Sequence, residues 1–239
     1  MLSPNAASRH TLEICRLAPV MPVLVIEDAA LARPLAEALV AGGLPALEVT
    51  LRTPAALDAI RAMAGVPGGT VGAGTLLTPE DVKAAKEAGA QFGVSPGATD
   101  RLLTACEEAE LPLLPGAATA TEAMVLLQRG YTTAKFFPAE AAGGAAALKA
   151  IGAPLPQITF CPTGGVTAAN APGYLALPNT VCVGGSWVAP KDRLAAGDWA
   201  AVEALAREAA PDRSHPPVAP ATGTRPPGRS RARRQTDSL

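Results

Sequence analysis

Eight short apolar or small-residue runs, each followed by a helix-forming segment, constrain this chain more than any other feature. The runs are Val20 to Ile26, Ala46 to Arg52, Thr70 to Thr75, Gln91 to Pro96, Pro112 to Gly116, Thr133 to Phe137, Ile158 to Pro162 and Thr180 to Ser186. Helix-start signals follow several of them: Asp28, Thr53-Pro54, Thr78-Pro79-Glu80-Asp81, Thr99-Asp100 and Thr121-Glu122. Further helices are expected over Glu13 to Leu17, Gly144 to Ile151, Ala168 to Leu175 and Trp199 to Ala209. Strands alternating with helices imply a parallel sheet covered on its faces, and eight repeats are the count of a (β/α)₈ barrel. The fold class is therefore α/β, a single TIM barrel with an N-terminal helix. At 239 residues, 49% of them hydrophobic, the chain has enough material for one such core.

The unit is expected to span residues 1–210. From Pro211 onward Pro, Arg and small polar residues replace the apolar periodicity, and residues 211–239 are expected to form a disordered basic tail. The net charge of -1 hides this asymmetry. Six of the arginines lie in the tail against Asp212 and Asp237, which leaves the first 210 residues with 14 basic and 19 acidic side chains. A mildly acidic body gives no reason to expect nucleic acid as a partner, and the arginine cluster of the tail reads as a solvated segment.

Cys15, Cys106, Cys161 and Cys182 form no C-x-x-C pair and read as reduced thiols, and Cys161 has no histidine to activate it. His10 and His215 sit in terminal segments, against a Ser/His/Asp triad or a histidine-ligated metal in the core. No run has the length of a membrane helix and no signal-peptide pattern opens the chain, so no membrane partner and a cytoplasmic location are expected.

Two strands carry charge where a buried strand should not. In Thr133-Ala134-Lys135-Phe136-Phe137, side chains alternate between faces, which puts Lys135 and Phe137 on one side. Burial drives an ammonium toward its neutral amine, and a neutral amine attacks carbonyls. A lysine stem packed on the barrel rim with its head in water fits the strand equally well. In the second strand Glu48, Thr50 and Arg52 face opposite to Leu47, Val49 and Leu51, and with both sheet faces covered this polar stripe asks for a function. Inward side chains of alternate strands share a layer in such barrels, so Glu48 on strand two and Lys135 on strand six can meet at the mouth as base and nucleophile. A structural ion pair would stabilise less than apolar residues there. Strands seven and eight end in Thr163-Gly164-Gly165 and Gly184-Gly185-Ser186, at the two loops where these barrels bind phosphate.

Six segments in order resemble one family: Leu47 to Thr53, Val71-Gly72-Ala73-Gly74-Thr75, Ser95-Pro96-Gly97, Lys135 to Glu140, Cys161 to Gly165 and Gly184-Gly185-Ser186-Trp187. Over about Ile14 to Ala209 the chain is similar to the 2-dehydro-3-deoxy-phosphogluconate aldolases that also act on 4-hydroxy-2-oxoglutarate. The resemblance implies a Schiff-base (class I) lyase with Lys135 as imine-forming residue and Glu48 as general acid/base. It implies that Arg52 and Thr75 bind the pyruvate portion, that Phe137 packs on the substrate, and that Thr163, Gly164, Gly165, Gly185 and Ser186 hold the phosphate. Pyruvate and glyceraldehyde 3-phosphate would be the products, no cofactor or metal is implied, and the assembly would be a homotrimer. The chain departs from relatives at Val25-Ile26, where some have arginine, and at Ala118, where a hydroxyl residue is frequent. Other readings of the same residues are an aldolase for the galactonate epimer, a phosphate-binding isomerase or synthase barrel, and a barrel that binds a sugar phosphate without turnover.

Overall fold

The computed structural model describes residues 1–210; the expected basic tail lies outside the described residues. The strands are β1 (Val20–Leu24), β2 (Ala46–Thr50), β3 (Thr70–Gly74), β4 (Phe92–Val94), β5 (Leu113–Leu114), β6 (Gly116–Ala117), β7 (Thr133–Phe136), β8 (Thr159–Pro162) and β9 (Val183–Gly185). The α-helices are α1 (Pro4–Cys15), α2 (Ala32–Ala41), α3 (Ala56–Ala64), α4 (Pro79–Glu87), α5 (Asp100–Glu108), α6 (Ala120–Arg129), α7 (Gly144–Gly152), α8 (Ala171–Leu175), α9 (Lys191–Ala196) and α10 (Trp199–Ala209).

Every strand pairing is parallel, as the strand-helix alternation requires. Six strands form one sheet in the order β5-β4-β3-β2-β1-β9, and β6-β7-β8 form a second. Eight strands in a single closed sheet were expected; the difference has two causes. Pro115 has no N–H to donate and divides the fifth strand, so that β5 pairs with β4 while β6 pairs with β7. The Pro115 carbonyl still accepts the Lys135 N–H at 2.8 Å. On the other side β8 and β9 meet only through the single bridges Phe160 to Thr180 and Thr163 to Gly184.

Threonine caps set several helix starts. The Thr78 and Thr119 side chains accept the N–H of Asp81 and Glu122, whose carboxylates accept the cap residue's own N–H in return. Helix α6 thus starts at Ala120, one residue before Thr121, with Thr119 as its cap, because the hydroxyl at 119 and the carboxylate at 122 have capping-box spacing. The N-terminal helix also differs from expectation. It runs from Pro4 to Cys15 with Ser3 as its cap, longer than the expected Glu13 to Leu17 segment, because its buried face carries the polar Ser8 and Thr11 between Ala7 and Cys15 and so shows no apolar stripe. Helix α9 was not anticipated from sequence: of its six residues none is fully buried and only Leu194 packs on the apolar cluster, too little for a periodicity.

Apolar side chains fill both faces of the strands. The larger cluster lies between strands and helices and includes Leu47, Val49, Ala134, Phe136 and Phe160. On the opposite face Met21, Ala46, Phe92, Val94, Leu114, Cys161 and Cys182 pack with Cys15 of α1. Helix α1 crosses the strand starts there: Ser8 Oγ accepts the Thr132 N–H at 2.9 Å and Thr133 Oγ1 donates to the Ser8 carbonyl at 3.2 Å. At this end the inward polar side chain of Thr133 is satisfied by the Ser8 carbonyl, and the charged pair described below lies nearer the strand C-termini.

Candidate active site

Lys135 on β7 and Glu48 on β2 reach the inner face as their parity in the strands predicts. They are 6% and 2% exposed, and Lys135 Nζ lies 3.1 Å from Glu48 Oε1 and 3.5 Å from Oε2. The snorkelling alternative is thereby set aside: the head group is buried against a carboxylate. Space for that carboxylate comes from Gly74, since a Cβ there would lie 2.3 Å from Glu48 Oε1. The Phe137 ring stands beside the amine, with Nζ 5.3 Å from its centroid.

The pair lies in a cavity of about 280 Å³ at the C-terminal ends of the strands. Arg52, Thr75, Phe137, Thr163, Gly164, Gly165, Gly185 and Ser186 all line it, so every residue singled out from the sequence converges on one space. Arg52 makes no ion pair among the described residues. Its Nε donates to Thr50 Oγ1 at 3.2 Å, and that hydroxyl donates to the Leu24 carbonyl at 2.8 Å. Lys135 is charge-matched inside the cavity while Arg52 remains an unmatched cation at its mouth. Thr75 follows β3 with φ of 64°, a left-handed conformation that a β-branched residue adopts only under strain.

Sequence reasoning missed Thr50 as the side chain that orients Arg52, although it shares the polar stripe of Glu48 and Arg52. Val23, Pro96, Val166 and Gly184 also line the cavity without having been singled out as site residues. Ala118 is not among the lining residues; its N–H donates to Glu122 Oε2 at 2.7 Å, where no hydroxyl is needed. Cys161 sits in register with Lys135 but is buried with the inner apolar cluster, as expected of a core residue. Among the described residues no group of His, Cys, Asp and Glu is arranged to hold a metal ion.

The glycine turns differ from each other. Gly164 and Gly165 have φ of 100° and 78°, so both need the conformation that glycine adopts freely. The Gly164 carbonyl accepts the Glu140 N–H at 3.0 Å and the Gly165 carbonyl accepts the Asn170 amide at 3.1 Å. The turn's carbonyls are thus held on the protein side. Gly185 is in a strand and is excluded from carrying a side chain for another reason: a Cβ there would lie 1.8 Å from the Trp187 ring.

A model of the KDPG and KHG aldolase family matches residues 12–205. This chain belongs to that family. The KHG/KDPG aldolase of Escherichia coli is 53% identical over 192 residues, which cover 80% of this chain and 90% of the relative. A crystal structure of the 2-keto-3-deoxy-6-phosphogluconate aldolase of Zymomonas mobilis with 3-phosphoglycerate superposes with a TM-score of 0.82 at 52% identity, covering 85% of this chain and 96% of that one. The KDPG aldolase of Legionella pneumophila, with pyruvate captured at low pH as a covalent carbinolamine intermediate, superposes with a TM-score of 0.81 at 44% identity, covering 87% of this chain and 98% of that one.

The Trp187 contact gives this KDPG/KHG family member a testable division between its glycines. Replacing Gly185 by valine should lower the melting temperature by several degrees. Overpacking of this kind costs ~1–3 kcal/mol, and each kcal/mol shifts the midpoint of a chain this size by roughly 2–4 °C. Thermal melting followed by circular dichroism reads it, and an unchanged midpoint would mean that Trp187 yields without cost.

Proposed function

We propose that this chain is a class I aldolase that cleaves 2-dehydro-3-deoxy-6-phosphogluconate to pyruvate and glyceraldehyde 3-phosphate, and 4-hydroxy-2-oxoglutarate to pyruvate and glyoxylate. The observation that carries the reading is the 3.1 Å contact between Lys135 Nζ and Glu48 Oε1 inside a cavity walled by the glycine turns. A general base must stand within hydrogen-bond reach of the proton it takes, and Glu48 stands within that reach of the amine.

Glu48 takes a proton from Lys135, and the free amine adds to the C2 carbonyl to give a carbinolamine. Glu48 returns that proton to the carbinolamine hydroxyl, which leaves as water, and the iminium so formed draws electrons as a Lewis acid would. Glu48, through a water, removes the C4 hydroxyl proton; the C3–C4 bond breaks, its electron pair forms the enamine, and glyceraldehyde 3-phosphate departs. Protonation of the enamine at C3 and hydrolysis then release pyruvate and restore Lys135. Arg52, left without a carboxylate of its own, binds the substrate's C1 carboxylate together with Thr75, whose strained backbone is of the kind that collects at functional sites. Phe137 packs on the substrate chain. Thr163, the Gly164–Gly165 turn, Gly185 and Ser186 receive the phosphate; the N–H groups of Gly165 and Ser186 have no hydrogen-bond partner among the described residues.

The proposal extends to architecture. Counting β5 and β6 as one strand interrupted at Pro115, and joining β8 to β9 through their two bridges, closes the sheets into one (β/α)₈ barrel. The catalytic unit is residues 1–210, assembled as a homotrimer in the cytoplasm, with 211–239 a basic tail outside it. Among the described residues no helix is long and apolar enough to cross a membrane. A chain ending at Ala210 should keep turnover and show three times the chain mass by light scattering; loss of turnover or another mass would refute the corresponding part.

Release of pyruvate from 2-dehydro-3-deoxy-6-phosphogluconate, unaffected by a chelator, tests the reaction. Glu48→Gln keeps the shape of the carboxylate but not its proton transfer, and should lower turnover by roughly 10²–10⁴. No pyruvate from the parent protein would overturn the reading; near-normal turnover in the variant would remove Glu48 from its role.

A further inference from the structure

The Gly164–Gly165 turn rests on Glu140, which belongs to neither the imine chemistry nor the cavity lining. A Cβ added at Gly165 would lie 2.7 Å from both Cβ and Cγ of Glu140, so the glutamate stem occupies the underside of the turn. Its N–H holds the Gly164 carbonyl at 3.0 Å. A carboxylate so close to an anion-binding turn is a liability, because a carboxylate that swings toward bound phosphate repels it.

In the structure the exposed Glu140 carboxylate is turned to Tyr174. Its Oε1 accepts a short hydrogen bond from the Tyr174 hydroxyl. Tyr174 is on α8, the helix that follows the glycine turn, and is only 1% exposed, so its hydroxyl is a fixed point. Burial, with the Glu140 hydrogen bond and charge adding to it, raises the phenol above its ordinary pKa and keeps it a donor. A Cβ at Gly144 would lie 3.6 Å from both Glu140 Oε1 and the Tyr174 oxygen, which places the carboxylate at the first turn of α7. That helix has no side-chain cap, and its positive end favours an anion there.

We propose that Tyr174 is a positioning residue for phosphate recognition: its hydroxyl restrains the Glu140 carboxylate at the start of α7, under the Gly164–Gly165 turn and away from the anion the turn receives. The inference rests on the phosphate-binding reading of that turn. Removing the hydroxyl frees a negative charge beside the phosphate and loosens the support of the turn, while the imine-forming pair is untouched.

The test compares Tyr174→Phe with the parent on two substrates, and adds Glu140→Gln to the Tyr174→Phe chain. Inorganic phosphate should inhibit the parent competitively against the phosphorylated substrate; if it does not, the phosphate reading of the turn has failed, and the inference with it. Given that inhibition, Tyr174→Phe should raise KM for 2-dehydro-3-deoxy-6-phosphogluconate roughly ten-fold, the order expected for losing a hydrogen bond to a charged group. Cleavage of 4-hydroxy-2-oxoglutarate, which has no phosphate, should keep its kcat and KM. Glu140→Gln in the same chain removes the freed charge and should restore most of the lost affinity. An unchanged KM, equal losses on both substrates, or no recovery in the double variant would each overturn the role of Tyr174 while leaving the phosphate site standing.

Discussion

The rest of this structure is arranged around one ion pair, Lys135 with Glu48, made between strands 87 residues apart in sequence and buried on both sides. Removing two charges from water is expensive, and apolar residues of similar volume would stabilise the fold as well or better. The surroundings show what such a pair requires. Gly74 leaves room for the carboxylate, the Phe137 ring backs the amine, and the apolar cluster of Met21, Phe92, Val94 and Leu114 closes the space below. Helix α1 packs across the strand starts at the far end, opposite the cavity that holds the pair.

Charge is divided between two cations in that cavity. A lysine serving only as a fixed positive charge for substrate would be poorly placed against a carboxylate that already neutralises it. Arg52 suits the fixed-charge role, since its guanidinium is oriented by Thr50 and paired with no acid among the described residues. Lys135 is instead next to a proton acceptor, where an amine can be freed for attack. The distinction between nucleophile and fixed charge, open in the sequence, becomes a matter of which cation has the carboxylate.

Much of this was legible beforehand because periodicity is a physical signal. The parity of Lys135 and Phe137 in one strand, and of Glu48, Thr50 and Arg52 in another, fixed the face on which each appears, and all of them line the cavity, where the Thr50 hydroxyl also accepts from Arg52. The six-segment resemblance pointed to Thr75 and Ser186, which parity alone does not single out, and both line the cavity. Three kinds of feature were not legible. The division of the fifth strand depends on which neighbour donates to Pro115's carbonyl, the one polar backbone group it retains. Helix α9 rests on the core through Leu194 alone, so it left no pattern. The exclusion of a side chain at Gly185 depends on where the Trp187 ring comes to rest, and the support of the glycine turn by Glu140 and Tyr174 joins residues 34 apart.

The central claim is that Lys135 forms an imine with a 2-keto acid, and trapping reads it directly. Pyruvate with borohydride should leave a reduced pyruvyl adduct on the peptide carrying Lys135, found by mass spectrometry after proteolysis. Lys83, Lys86, Lys149 and Lys191, none of which lines the cavity, should remain unmodified. A folded sample in which Lys135 stays unmodified, or in which the adduct falls on another lysine, would contradict the account.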